Sequence, residues 1–353
     1  MKTSFAEIMA CPACGGALRV EAALDEGGEI REGSLSCLCG AEYRIRGFVP
    51  RMVSSDSYVN TFSFQWERHR RTQLDADGRR ESEETFFLST GLTKDQLEGK
   101  LVLDVGCGMG RFADVASRYG AEVVGVDLSY AIESAQENIG LRSNVHLVQA
   151  DLFHLPFRKN SFDCIFSIGV LHHTPDCRKA VLGLIPYLKE GGALAVWVYP
   201  KYKLHTLCEY NPERFSAGPA QLPYVLKAPF RVPRRWLPIF SRTAIWLDRL
   251  SNLWNSILRA GARQLPVKVL YRLCHVAIPL YHLFKLPPFT PLRLIFKISM
   301  HQDPQWRVLD TFDNLSPRYQ SRHTYEEVSG WFREGGLKQI VLLPNQIAVR
   351  GQR

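Results

Sequence analysis

The sequence predicts an α/β protein built on a doubly wound, mostly parallel sheet. Three observations carry that expectation. Lys100 to Phe112 reads as a buried strand (Leu101, Val102, Leu103, Val105), a turn at Gly106, Gly108 and Gly110, and a helix opening at Arg111. Glycine suits such a turn because backbone at positive φ, approached closely by a ligand, excludes a Cβ. Strand and helix patterns then alternate, at 101–105, 111–119, 123–127, 130–138, 145–148, 162–167, 178–189 and 193–199. Alternation of this kind gives parallel strands with the ligand at their carboxyl ends. The second strand ends at Asp127, 17 residues beyond Gly110 (127 − 110), where a carboxylate would hydrogen-bond a ribose diol.

The glycine turn leaves two ligand classes open, a dinucleotide and S-adenosylmethionine (SAM). Position 111 is Arg where the dinucleotide fingerprint G-x-G-x-x-G wants its third glycine. The run Asp104-Val-Gly106-Cys107-Gly108-Met-Gly110 resembles instead the first motif of class I SAM-dependent methyltransferases, in their small-molecule, type 11 form. Val126-Asp-Leu-Ser129, Gln149-Ala-Asp-Leu152, Leu155-Pro-Phe157, Ser161 to His173 and Leu188 to Trp197 resemble that family's later motifs, in order and at its spacing. The resemblance covers about half the chain and implies a Rossmann-like sheet of seven strands. It implies that Gly106, Cys107, Gly108 and Gly110 cradle the methionine part of SAM, with Asp104 fixing the loop or an ammonium group. It also implies that Asp127 and Leu128 hold the ribose, that Asp151 and Leu152 meet the adenine, and that Ser167 lies on the fourth strand of the pocket. His172 and His173 follow that strand, where an acceptor meets the methyl group. A histidine there either orients the acceptor or removes its proton. Tyr199 and His205 are lesser candidates.

Residues 1–53 form a separate unit on this reading. Cys11-Pro-Ala-Cys14 and Cys37-Leu-Cys39 have the arithmetic of a four-thiolate zinc site. So small a unit has too little core to fold without a staple. Cys39 to Pro50 resembles the small zinc-ribbon family that includes the tRNA-methyltransferase activator subunit, with one departure: the second pair is CxC where CxxC is usual. A structural Zn²⁺ on Cys11, Cys14, Cys37 and Cys39 is expected, against a metal-free β-ribbon.

Residues 54–99 read as a helical lead-in with a short helix Lys94–Glu98 between Thr93 and Gly99; the resemblance implies that it folds over the cofactor with Gln65, Trp66 and Arg70 as pocket walls, and helices packed on the sheet edge are the alternative. Residues 100–199 are the SAM-binding core, with Ser129 as N-cap of its second helix. Residues 200–310 read as an inserted basic, aromatic helical segment. In it Ile245, Leu247, Leu250, Leu253, Trp254 and Leu258 fall near helical spacing. Residues 311–353 return to the sheet through a helix ending near Gly335 and an antiparallel pair, Lys338–Leu343 with Gln346–Val349. Asp310, Asp313, Tyr319 and His323 resemble a polar stretch of related methyltransferases, which implies that they line the substrate side of the pocket.

The formal charge of +9 is unevenly spread. Residues 201–300 hold 16 Lys+Arg and 3 Asp+Glu, a net of +13, leaving −4 for the rest (28 − 32). Basic amphipathic helices suit an anionic membrane surface, here through 227–300, or a cap over a greasy acceptor. Nucleic acid is disfavoured as a partner, because the cations are spread among Leu, Trp and Pro. No secretion signal and no apolar run of about 20 residues stands in the sequence, and nine cysteines fit a reducing compartment. A cytoplasmic protein, peripheral to the inner membrane face, is expected. The expected activity is methyl transfer to a small-molecule, glycan or lipid-linked acceptor. An RNA methyltransferase and a non-catalytic SAM-binding scaffold remain open as alternatives.

Overall fold

A computed structural model describes residues 1–53, 60–76, 78–201, 237–286, 288–289, 292, 295–296, 298–345 and 347–353, without the side chains of 60 and 237–244. His205 and the basic run 227–236 lie outside the described residues.

The described strands form one mixed sheet. Its central strands are β5 (Leu101–Val105), β6 (Glu122–Asp127), β7 (Val145–Ala150), β8 (Phe162–Ile168) and β9 (Leu188–Trp197), paired in parallel in the order β7-β6-β5-β8-β9. Their inner positions are buried without a break, at 102–105, 123–126, 145–150, 164–168 and 194–196, as strands covered on both faces require. The chain end adds β10 (Lys338–Leu343) and β11 (Ala348–Gln352), β11 lying antiparallel against β9.

The sheet is larger than the expected seven strands. The amino-terminal strands β1 (Leu18–Glu26), β2 (Glu29–Cys37), β3 (Glu42–Arg46) and β4 (Val49–Met52) join its other edge, making eleven among the described residues. The joint is β4, whose Arg51 and Met52 pair in parallel with Gln149 and Ala150 of β7. Met9, Leu35, Ile45 and Met52 bury their side chains in the same core as Val126 and Val148. The 1–53 segment therefore shares its apolar core with the main sheet, which a sequence reading of a self-contained unit does not foresee.

Helices cover the sheet and position the site. These are α1 (Asn60–Arg68), α2 (Glu81–Thr90), α3 (Arg111–Arg118), α4 (Ala131–Ile139) and α5 (Cys177–Leu184). The expected helix 178–189 stops at Leu184, because Pro186 lies in the following 3₁₀ turn and Leu188 already belongs to β9. Lys94–Glu98 forms turns and not a helix, with the Thr93 backbone N–H donating to Gln96 Oε1 at 3.0 Å. The insertion contributes α6 (Leu237–Ala262), α7 (Val267–Cys274) and α8 (Ala277–Lys285). They pack on α9 (Pro304–Leu315) through Ala262, Leu270 and Cys274 against Val308 and Phe312. Helix α10 (Tyr325–Glu334) opens on a reciprocal cap, the Thr324 side chain accepting from Glu327 N–H and the Glu327 carboxylate from Thr324 N–H. No helix among the described residues is long and apolar enough to cross a membrane.

Candidate cofactor and acceptor site

A cavity of about 240 Å³ opens at the carboxyl ends of β5, β6, β8 and β9. The turn after β5 forms one side. Gly106, Gly108 and Gly110 all hold positive φ, at 79°, 54° and 90°. Glycine at 106 is also a packing demand, since a Cβ there would sit 2.4 Å from the Val170 side chain. Trp66 of α1 lies across the same turn, its indole 3.4 Å from where a Gly108 Cβ would be. Asn138 of α4 ties turn and lead-in together, its Nδ2 donating to Met109 O at 2.9 Å and to Arg70 O at 2.6 Å.

The acid at the tip of β6 is built into that turn. Asp127 Oδ2 accepts from Gly108 N–H at 2.9 Å, and Oδ1 accepts from Ser129 N–H at 2.8 Å and Ser129 Oγ at 2.6 Å. Burial pushes its pKa above the usual carboxylate range, against the pull of those bonds. Asp104 sits behind the turn, 2% exposed, with Oδ2 lacking a partner. Burial first, and the charge of Asp127 second, push its carboxyl far upward.

The structure sorts the expected cofactor residues. Gly106, Cys107, Gly108, Asp127, Leu128 and Leu152 line the cavity. Gly110 stands just beyond it as N-cap of α3, packed on Ile139. Asp151 does not line it: its Oδ1 accepts from Phe153 N–H at 3.0 Å and so caps a 3₁₀ turn. Ser167 is wholly buried and donates to Val105 O at 2.8 Å, a bond between neighbouring strands. The β8 end instead presents Ile168, Gly169 and Val170. In the lead-in, Phe62, Gln65 and Trp66 face the cavity, whereas Arg70 turns outward to Glu137 at 2.5 Å.

The two histidines separate. His172 is fully buried off the cavity, its ring stacked on Tyr199 at 3.8 Å between centroids. Burial, then the neighbouring His173, push its pKa far down. His173 lines the cavity. Its Nδ1 lies 3.0 Å from Tyr319 O, a carbonyl that only accepts, so Nδ1 carries the proton. Nε2 is left with a lone pair, 4.0 Å from Asp313 Oδ2. Burial lowers the His173 pKa, with Asp313 and the Tyr319 carbonyl pulling the other way. The neutral ring is therefore favoured.

Opposite the glycine turn stands a wall drawn from distant sequence. Tyr199 OH donates to Asp313 Oδ2 at 3.0 Å, and Gln65 Nε2 to Asp313 Oδ1 at 3.4 Å. Asp310 lies one turn earlier on α9 and also faces the cavity, as does Arg111. Of the expected substrate-side group, Asp310 and Asp313 reach the cavity, Tyr319 contributes its backbone carbonyl, and His323 turns to Ser321 Oγ at 2.7 Å. Sequence reasoning missed Trp197, Thr174 and Arg111. Trp197 ends β9, so the rule that ligands sit at strand carboxyl ends would have found it.

A second constellation lies at the amino-terminal ribbon. The sulfurs of Cys11, Cys14, Cys37 and Cys39 all lie within 4.8 Å of one another, with Cys11–Cys39 at 3.8 Å and Cys14–Cys37 at 3.4 Å. Gly15 and Gly40 take positive φ behind the two pairs, which lets the one-residue CxC gap turn as tightly as the CxxC knuckle. Burial raises the Cys11 thiol, but hydrogen bonds involving Tyr43 and the Ala13 and Cys14 backbone outweigh it and bring the thiol down to about 6.

The comparisons with known proteins agree with this geometry. Residues 103–196 match a family described as a methyltransferase domain. The sterol 24-C-methyltransferase of Pneumocystis carinii (strain B80) is 36% identical over 121 residues, 33% of this chain and 32% of that protein. Methyltransferase GfsG of Streptomyces halstedii is 37% identical over 107 residues, 29% of this chain and 38% of that protein. The protein named probable tRNA methyltransferase 9B of Mus musculus is 36% identical over 109 residues, 30% of this chain and 23% of that protein. The matches thus span well under half the length of each relative. A solved S-adenosylmethionine dependent methyltransferase from Mesorhizobium loti is 29% identical, covers 36% of this chain and 56% of that chain, and superposes with a TM-score of 0.31. Residues 103–196 are thus similar to a methyltransferase domain, and the rest of the chain lies outside that match.

The acceptor wall carries a pH signature. Burial lifts the Asp310 carboxyl to about 6; the Ser299 hydroxyl at 3.0 Å draws it back, Asp313 pushes it up, and Arg111 and His301 draw it down. A folded-state pKa raised above its unfolded value contributes stability below pH 4 that is lost as the pH rises through 6. Asp310→Asn should therefore melt like the parent near pH 4 and be more stable at pH 7, by about 1 kcal/mol after discounting for solvent in the cavity. Parallel thermal melts at the two pH values check this; an equal difference at both would contradict it.

Proposed function

We propose that the chain transfers a methyl group from SAM to a small-molecule, glycan or lipid-linked acceptor held against His173, Tyr199 and Asp313. One observation carries the reading: the glycine turn with its embedded Asp127 faces that polar wall across a single cavity. The residues fit SAM. The Asp127 carboxylate lines the cavity at the end of β6, and the turn leaves no Cβ between its backbone and the cavity. Gly106, Cys107 and Gly108 would hold the methionine part, Asp127 and Leu128 the ribose, and Leu152 the adenine side. Bound there, SAM would supply a sulfonium methyl carbon to an O, N or C nucleophile, with S-adenosylhomocysteine as the leaving group.

What the chain adds is position and a proton acceptor. Trp66 lies against the glycine turn, Phe62 packs edge-on against His173 at 5.4 Å, and Trp197 and Tyr199 line the same cavity. Holding two reactants in line supplies much of the rate where the leaving group is already activated. His173 is fixed in one tautomer by Tyr319 O, so its bare Nε2 accepts the acceptor's proton or orients its hydroxyl. Asp313, held by Tyr199 and Gln65, stands beside Nε2 to stabilise the imidazolium that would form. A sterol, a ubiquinone-pathway or a tRNA methyltransferase shares the domain, so the acceptor class rests on the wall and not on kinship.

We read the four cysteines as a zinc site. A tetrahedral ion with Zn–S bonds of about 2.3 Å sets its sulfurs roughly 3.8 Å apart, close to the spacing here. Four thiolates leave no open position, so the ion would staple the ribbon and take no part in methyl transfer.

Three outcomes are expected. Gly108→Arg should abolish SAM binding in calorimetry while circular dichroism stays that of the parent; parent-like affinity would refute the pocket. His173→Gln should cut transfer of labelled methyl into cell extract about 100-fold. The acid limb of the parent's profile should fall below the usual histidine midpoint, because a base works above its pKa and burial lowers this one. A limb unmoved by the substitution would remove His173 from proton transfer. The purified chain should carry one zinc by elemental analysis, absent from Cys14→Ser; a metal-free parent isolated with zinc in all buffers would leave the plain ribbon.

A further inference from the structure

Helix α6 is amphipathic the wrong way round for a helix packed on a protein core. At 100° per residue, Trp246, Leu250, Leu253, Trp254 and Ile257 fall on one side. All five are exposed, Trp246 by 60% and Leu253 by 61%. The opposite side carries Asp248, Asn255 and Arg259, and these are buried. The polar side is the one that docks. Arg259 Nη2 donates to Pro317 O, and Asn314 Nδ2 donates to Asn255 Oδ1 at 3.2 Å. Polar bonds to α9 and the loop after it therefore fix the rotation of α6 and turn its apolar stripe outward. Val269 and Leu273 of α7 are exposed as well.

Charge narrows what covers this stripe. Residues 237–300 hold nine Lys+Arg and one acid, Asp248, which is on the buried side. Arg249, Arg263, Lys268 and Arg272 are exposed around the apolar side chains. An apolar stripe set in cations, with two tryptophans and no exposed carboxylate in 237–300, is the chemistry of a helix lying in the headgroup region of an anionic bilayer. Two copies of this face would set like charge against like. A stripe of this size on a soluble face is itself a marker of an interaction site.

We propose that α6 and α7 seat the protein on an anionic phospholipid surface, the α6 stripe entering the interface and the surrounding cations meeting the headgroups. The full chain should float with vesicles of phosphatidylcholine and phosphatidylglycerol in equal parts, and stay behind with phosphatidylcholine alone. The pair Leu250→Glu and Leu253→Glu should weaken flotation about tenfold, as should Arg249→Glu with Lys268→Glu. Both pairs lie on exposed side chains and should keep the parent's SAM affinity in calorimetry, so lost flotation is not lost folding. Flotation of either pair equal to the parent would overturn the proposal. So would a parent that ignores anionic vesicles, or one that light scattering shows to be a dimer made monomeric by the leucine pair. The methyl-transfer reading stands or falls separately, on SAM binding.

Discussion

The carboxylate of Asp127 is the joint on which the site depends. It closes β6 onto the turn after β5 through Gly108 N–H and onto the start of α4 through Ser129. Three donors on one buried carboxylate hold two strand ends and a helix start in a fixed relation. That relation gives the cavity its floor. The glycines follow from it: with the turn drawn toward Asp127, Gly106 meets Val170 and Gly108 meets Trp66, leaving no room for a Cβ at the first and little at the second. The bonds that shape the loop come from the protein itself, and a loop held by its own contacts loses less entropy on binding.

The opposite wall is assembled differently. Tyr199 follows β9, Asp313 comes from α9 and Tyr319 from the loop beyond it, yet all three meet His173, while Asp310 of α9 lines the same cavity. The helical insertion makes this possible by packing α9 from outside through Val308 and Phe312. Cofactor side and acceptor side are thus supported by different parts of the chain.

The amino-terminal ribbon shows the same economy of surface. Its last strand completes the β7 edge, which removes an exposed row of backbone donors and acceptors. Its apolar side chains then extend the main core and do not need one of their own. In the cysteine cluster Cys11 is buried, next to an Ala10 N–H that donates to Pro156 O at 2.9 Å, whereas Cys14 and Cys39 reach solvent.

Local pattern alone determined the central strands, the glycine turn, the acid after β6 and the four-cysteine grouping, because each depends on residues near in sequence with fixed spacing. Leu101–Val105 and Asp127 needed no knowledge of the rest of the chain. Tertiary structure decided what long-range packing controls. It buried His172 and left His173 in the cavity, though the two are neighbours and chemically alike: the Tyr199 ring stacks on the first at 3.8 Å and meets the second only edge-on at 5.5 Å. It spent Asp151 and Ser167 on local hydrogen bonds, turned Arg70 away, and fused the ribbon to the sheet. It also put the polar side of α6 inside. Periodicity shows that a helix has two faces, but only the partner it meets, here the carbonyl of Pro317 and the amide of Asn314, selects which face is buried.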